Sequence, residues 1–145
     1  MSSDKKVLIV DDDADLRFLY HVLLAARHYH TFFASDALSA VAEAHAHKPD
    51  LIILDLGLSA LARLDYTMPA REPAGGFLVM ERLRADICIS LVPIIVVSGR
   101  DAYENRERAL RGGAMAFVQK PWDNDTLLAI ISRLLYAPAP SILAT

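Results

Sequence analysis

The chain of 145 residues has a single cysteine, Cys88. No internal disulfide can form, and a reducing cytoplasm is the expected setting. No apolar run approaches the roughly 20 residues that cross a bilayer. The opening Met1-Ser2-Ser3-Asp4-Lys5-Lys6 leads straight into a short apolar run, unlike a signal peptide, so no membrane partner is expected. A basic patch is also missing: fifteen Lys and Arg lie scattered among eighteen Asp and Glu, for a net charge of −3. Direct contact with nucleic acid is therefore not expected. Apolar residues make up 54% and charged residues 23%, which suits one compact domain large enough to bury a core without staples.

Short apolar runs alternate with stretches of helical period. Val7–Val10 reads as a strand. Asp13–Arg27 follows as a helix with Leu16, Leu19, Tyr20, Leu23 and Leu24 on its apolar positions. His30–Ala34 is a second strand, and Ser35 or Asp36 can cap the Ala-rich helix to His47. Leu51–Leu54 is a third strand after Pro49. Gly75-Gly76 opens a helix over about Phe77–Ala85, and Pro93 introduces the strand Ile94–Val97. A helix over Ala102–Arg111 stops at Gly112-Gly113. Met115–Val118 and the helix Asp123–Tyr136 complete the pattern. Five strands alternating with five helices predict an α/β fold: a doubly wound, five-stranded parallel sheet with helices on both faces. The domain is expected over 1–136, with 137–145 a flexible tail or linker stub. One segment breaks the rhythm. Twenty residues separate Asp55 from Gly76, where such loops usually take two to six.

Right-handed crossovers bring all strand carboxyl ends to one edge, the usual ligand-binding edge of such sheets. Asp11-Asp12, Asp55, Ser98 and Lys120 all fall there. Each has an ordinary explanation alone: Asp11, Asp12 or Asp13 as a helix cap, Asp55 as a turn residue, Ser98-Gly99 as turn chemistry, Lys120 as a surface lysine. Gathered together, three carboxylates repel by about 4 kcal/mol per pair at 4 Å in an effective dielectric near 20. A divalent cation or a bound proton would stabilise them, and an all-oxygen site suits Mg²⁺ or Mn²⁺. A carboxylate can also act as a nucleophile towards phosphorus, with Lys120 and the Ser98 hydroxyl on the phosphoryl oxygens.

In their order along the chain, Val10-Asp11-Asp12, Leu54-Asp55, Ser98 and Lys120-Pro121 resemble the receiver domain of two-component response regulators, over about residues 5–136. The resemblance implies a flavodoxin-like fold and Asp55 as phosphoacceptor for a histidine kinase or phosphotransfer protein. It implies Mg²⁺ held by Asp11, Asp12, Asp55 and the Gly57 carbonyl. Ser98 would be the switch hydroxyl, Lys120 the phosphate-binding lysine and Phe117 the aromatic that changes rotamer; as an isolated residue Phe117 is equally an ordinary core aromatic. Pro121 would follow a cis bond. Such a protein is a phosphorylation-dependent switch rather than an enzyme with a separate substrate. It would act on a downstream protein through the face of helix four, strand five and helix five, which could also pair two copies.

The resemblance fails after Asp55. Ser59 and Arg63 stand where receivers carry proline and glycine, and later motifs fall into line if about thirteen residues are inserted. This insert, about 58–74, is a lid, a kinase-specificity element or a disordered loop. It carries its own acceptor-like stretch, Asp65-Tyr66-Thr67-Met68-Pro69, so Asp65 is an alternative acceptor. Asp55 is favoured because an apolar strand precedes it directly. Two other functions compete. One is a pseudo-receiver that binds without being phosphorylated. The other is a small-molecule phosphatase with an aspartyl nucleophile, for which Gly57 stands where a second acid is needed. His45 and His47, two apart on a helix, suit a metal poorly. Trp122 is expected to pack against the last helix.

Overall fold

The computed structural model describes residues 5–56, 74–99 and 103–136. The strands are β1 (Lys6–Val10), β2 (His30–Ala34), β3 (Leu51–Asp55), β4 (Ile94–Ser98) and β5 (Ala116–Gln119). The helices are α1 (Ala14–Ala25), α2 (Ala37–His47), α3 (Ala74–Ala85), α4 (Tyr103–Arg111) and α5 (Asn124–Tyr136). The sheet is parallel with order β2-β1-β3-β4-β5. This is the α/β architecture that the alternating pattern predicts. The insert, apart from Ala74, and the tail 137–145 lie outside the described residues, and so do Gly57 and Asp65.

Successive strand residues point to opposite faces, which divides the core in two. Leu8, Val10, Ile52, Leu54, Ile94 and Val96 pack with Ala40 and Ala44 of α2 and with Val79, Met80 and Leu83 of α3. Val7, Ile9, Leu51, Ile53, Ile95 and Val97 pack with Tyr20 and Leu24 of α1 and with Leu127 and Ile131 of α5. The central strands β1, β3 and β4 are therefore apolar on both sides. The edge strands β2 and β5 are only partly buried.

Capping is local and specific. The Asp13 side chain accepts from the amides of Asp15 and Leu16 and starts α1. Asp36, not Ser35, caps α2, in a reciprocal box with Ser39. Leu19 departs from expectation. It is exposed beside Phe18 and Val22, so the outer side of α1 is unusually apolar. The helix after the insert begins at Ala74, ahead of Gly75-Gly76 rather than after them. A Cβ on Gly76 would stand 2.5 Å from the Leu56 Cα. Glycine is thus what lets α3 close against the end of β3.

Candidate phosphoacceptor site

The candidate side chains stand at strand ends: Asp55 and Ser98 close β3 and β4, and Asp11 and Lys120 lie one residue past β1 and β5. The Asp11 amide donates to the Ala34 carbonyl at 3.0 Å, the Leu56 amide to Val97 at 3.2 Å, and the Lys120 amide to Ser98 at 2.8 Å. These bonds fix the backbone at the ends of β1, β3 and β5 against their neighbours β2 and β4. Asp11, Asp55 and Ser98 are the buried polar residues among the described ones, at 1%, 7% and 3% exposure. Asp12 is exposed at the rim.

The expected residues meet. Ligand oxygens of Asp11, Asp12 and Asp55 all lie within 4.8 Å of one another. Lys120 Nζ stands 3.4 Å from Asp11 Oδ2 and 3.3 Å from Asp55 Oδ2. The other Asp11 oxygen accepts the Asp13 amide at 2.9 Å. Asp11 is therefore the buried hinge of the cluster, and capping of α1 falls to Asp13. Burial holds the Asp11 carboxyl above its ordinary range, and the charge of Asp55 adds to this; the Asp13 amide and Lys120 pull the other way. A carboxylate that costs free energy to ionise beside a second one fits a cation site. Three hard oxygens with an open rim suit Mg²⁺.

Ser98 ends β4, one residue beyond the level of Asp55, since Asp55 pairs with Val97. Phe117 pairs with Val96 on the same ladder and is partly buried, with the Arg106 guanidinium 5.8 Å over its ring. The Lys120–Pro121 bond is cis, as the resemblance implies.

Four contributors escaped the sequence reading. Arg17 donates to the Asp11 carbonyl at 2.7 Å, bracing the acidic turn from α1. Tyr20 is 1% exposed, and burial, then the charges of Asp11 and Asp55, push its phenol up. Gly76 and Arg106 are the others. Only Gly76 left a signal, since a thirteen-residue insertion brings it to the receiver glycine position. Trp122 packs between two helices: its ring stacks on Tyr20 of α1 at 4.7 Å, and its indole N–H donates to Asn124 at the start of α5. The discounted histidines have separate partners. His45 contacts Asp86, whereas His47 pairs with Glu43 and stacks on Phe32.

A family model for the response regulator receiver domain matches residues 7–132, and the chain belongs to that family. The nitrogen assimilation regulatory protein NtrX of Azorhizobium caulinodans is 33% identical over 129 residues, 89% of this chain but 26% of that protein. Protein PilH of Pseudomonas aeruginosa is 27% identical over 130 residues, 90% of this chain and 97% of PilH. The chain thus spans a quarter to a half of several curated relatives and nearly all of another. The chemotaxis protein CheY4 of Vibrio cholerae superposes with a TM-score of 0.76 at 26% identity, covering 92% of this chain and 100% of CheY4. The receiver domain of sensor histidine kinase PA1611 from P. aeruginosa has the same fold, with a TM-score of 0.74, 22% identity and coverage of 92% and 98%. That structure holds magnesium in its active-site cleft. Receiver domains are signalling switches of two-component systems, and the phosphatase and unphosphorylated-module readings are not favoured.

Proposed function

We propose that this chain accepts a phosphoryl group on Asp55 from a phosphohistidine of a kinase or phosphotransfer protein, and that the acyl phosphate switches its contacts with a downstream protein. The observation that carries this reading is Lys120 Nζ, 3.3 Å from Asp55 and 3.4 Å from Asp11. A cation within reach of both carboxylates supports the reading, because it can neutralise charge on a phosphoryl group carried by Asp55.

An Asp55 oxygen attacks phosphorus and forms a P–O bond as the P–N bond of the donor breaks. The donor imidazole leaves with that electron pair and gains a proton. Asp11, Asp12 and Asp55 would hold Mg²⁺, with the Gly57 carbonyl as the ligand that the family resemblance adds, and the ion would supply positive charge for the phosphoryl oxygens. Lys120 neutralises a further oxygen, and the Ser98 hydroxyl donates to another. Water attack on the acyl phosphate later returns the Asp55 carboxylate and inorganic phosphate.

Ser98 and Phe117 sit on adjacent strands. Recruitment of the hydroxyl towards the phosphoryl group would leave space for the ring and bias the face of α4, β5 and α5. That face would bind the downstream target or a second copy. The domain spans 1–136 on this reading, works in the cytoplasm, and uses the insert to shape access to Asp55. No helix among the described residues is long and apolar enough to cross a membrane. Incubation with acetyl phosphate and Mg²⁺ should add the mass of one phosphoryl group to wild type and to Asp65→Asn, but not to Asp55→Asn. An adduct that persists in Asp55→Asn removes the assignment.

A further inference from the structure

We propose that Trp122, stacked on Tyr20, is a positioning residue that sets the reach of Lys120 into the acidic cluster. This rests on the reading of Asp55 as acceptor. The Lys120 amide donates to the Ser98 carbonyl at 2.8 Å, which fixes its backbone at the end of β5. Its side chain must then extend to two carboxylates on other strands. Two residues on, the chain is fixed again: the Trp122 ring lies 4.7 Å from the Tyr20 ring at 18°, and its indole N–H donates to Asn124 Oδ1 at 3.0 Å. Tyr20 is itself immobilised, at 1% exposure, in the core between the sheet and the α1–α5 layer.

Tyr20 belongs to α1, the helix whose capping turn also carries Asp11 and Asp13. The stack therefore ties the turn bearing the lysine to the helix that follows the turn of Asp11 and Asp12. Stacked aromatic pairs contribute beyond their buried area, so the contact opposes displacement of the turn. A loosened turn would leave the acids in place while Lys120 samples positions away from Asp55. Misplacement of about 1 Å can cost as much as a hundredfold in rate. Cation binding by Asp11, Asp12 and Asp55 does not need the lysine.

The test compares wild type with Trp122→Phe, Trp122→Leu and Trp122→Ala in three measurements. These are the phosphorylation rate with acetyl phosphate, the Mg²⁺ affinity by calorimetry, and hydrogen exchange of the Lys120 amide. Trp122→Ala should phosphorylate at least about tenfold more slowly with Mg²⁺ affinity no weaker than wild type and faster Lys120 amide exchange, and Trp122→Phe should restore most of the rate. Should Trp122→Ala fail to fold, Trp122→Leu must show the same split. A wild-type rate in Trp122→Leu, or parallel losses of rate and Mg²⁺ affinity, overturns the proposal. If wild type itself takes no phosphoryl group, the acceptor reading fails, and the Lys120 amide decides positioning alone: unchanged protection in the Leu and Ala variants overturns it.

Discussion

Lys120 and Asp55 form a partly buried ion pair, Nζ to Oδ2 at 3.3 Å, across the end of the sheet between β3 and β5. The same ammonium also faces Asp11, so it offsets two carboxylates at once. Lys120→Met should cost about 2 kcal/mol in metal-free protein at neutral pH, because two buried acids lose their shared partner. It should also bind Mg²⁺ more tightly, as a competing positive charge is gone, while accepting phosphate more slowly. Denaturant melts and Mg²⁺ titration of the same variant check both directions.

Asp11 gives the pH dependence a definite sign. Its carboxyl titrates above the ordinary 3.8 because of burial first and Asp55 second. A raised carboxylate binds its proton more tightly in the folded state. Its contribution therefore disfavours folding as pH rises from 3.8 through the folded value, and the penalty is complete above that. Asp11→Asn should raise the metal-free melting temperature at neutral pH, and the gain should vanish in acid below 3.8. The same variant should lose the stabilisation that Mg²⁺ gives wild type. Thermal melts across pH, with and without Mg²⁺, measure this.

The strands and the site residues were legible because their signals are local. Val7–Val10, Leu51–Leu54 and Ile94–Val97 are apolar on both faces, as a central parallel strand must be. Asp11, Asp55, Ser98 and Lys120 stand directly at strand ends, so placing the strands places them. What stayed hidden depends on contacts between distant segments. Leu19 lies on the helical stripe by spacing, yet the orientation of α1 is set by Tyr20 and Leu24, which turns Leu19 outward. Trp122 finds Tyr20 a hundred residues away, and Arg17 finds a backbone carbonyl, a partner with no sequence signature. Ser35 and Asp36 were equal caps by type; only the reciprocal bonds with Ser39 separate them.

Arg84 holds the opposite end of the domain. Its guanidinium donates to the carbonyls of Ser90, Val92 and Gly113 at 2.6, 2.8 and 2.7 Å. It thereby joins α3, the turn before β4 and the turn before β5. Arg84→Ala should cost about 3 kcal/mol in denaturant unfolding, since three carbonyls lose charge-assisted bonds. Gly113 has φ +107° and a Cβ there would meet Arg84 Nε at 2.7 Å, so Gly113→Ala should be destabilising as well. Neither should change Mg²⁺ affinity.

Among the described side chains of α4, Ala109 is buried and Leu110 is 40% exposed. Two cations fasten the helix to flanking rings, Arg108 at 4.0 Å over Phe77 and Arg106 at 5.8 Å over Phe117. Arg108→Ala should cost about 1 kcal/mol and speed amide exchange within α4 more than in α5. Equal protection of the two helices would show that α4 is held by other means.

The central claim is that Asp55, and not Asp65, carries the phosphoryl group. Borohydride reduces an aspartyl phosphate to homoserine, and peptide mass spectrometry locates that residue. After treatment with acetyl phosphate and Mg²⁺, homoserine is expected at position 55 and aspartate unchanged at 65. Homoserine at 65 with aspartate intact at 55 would contradict the account.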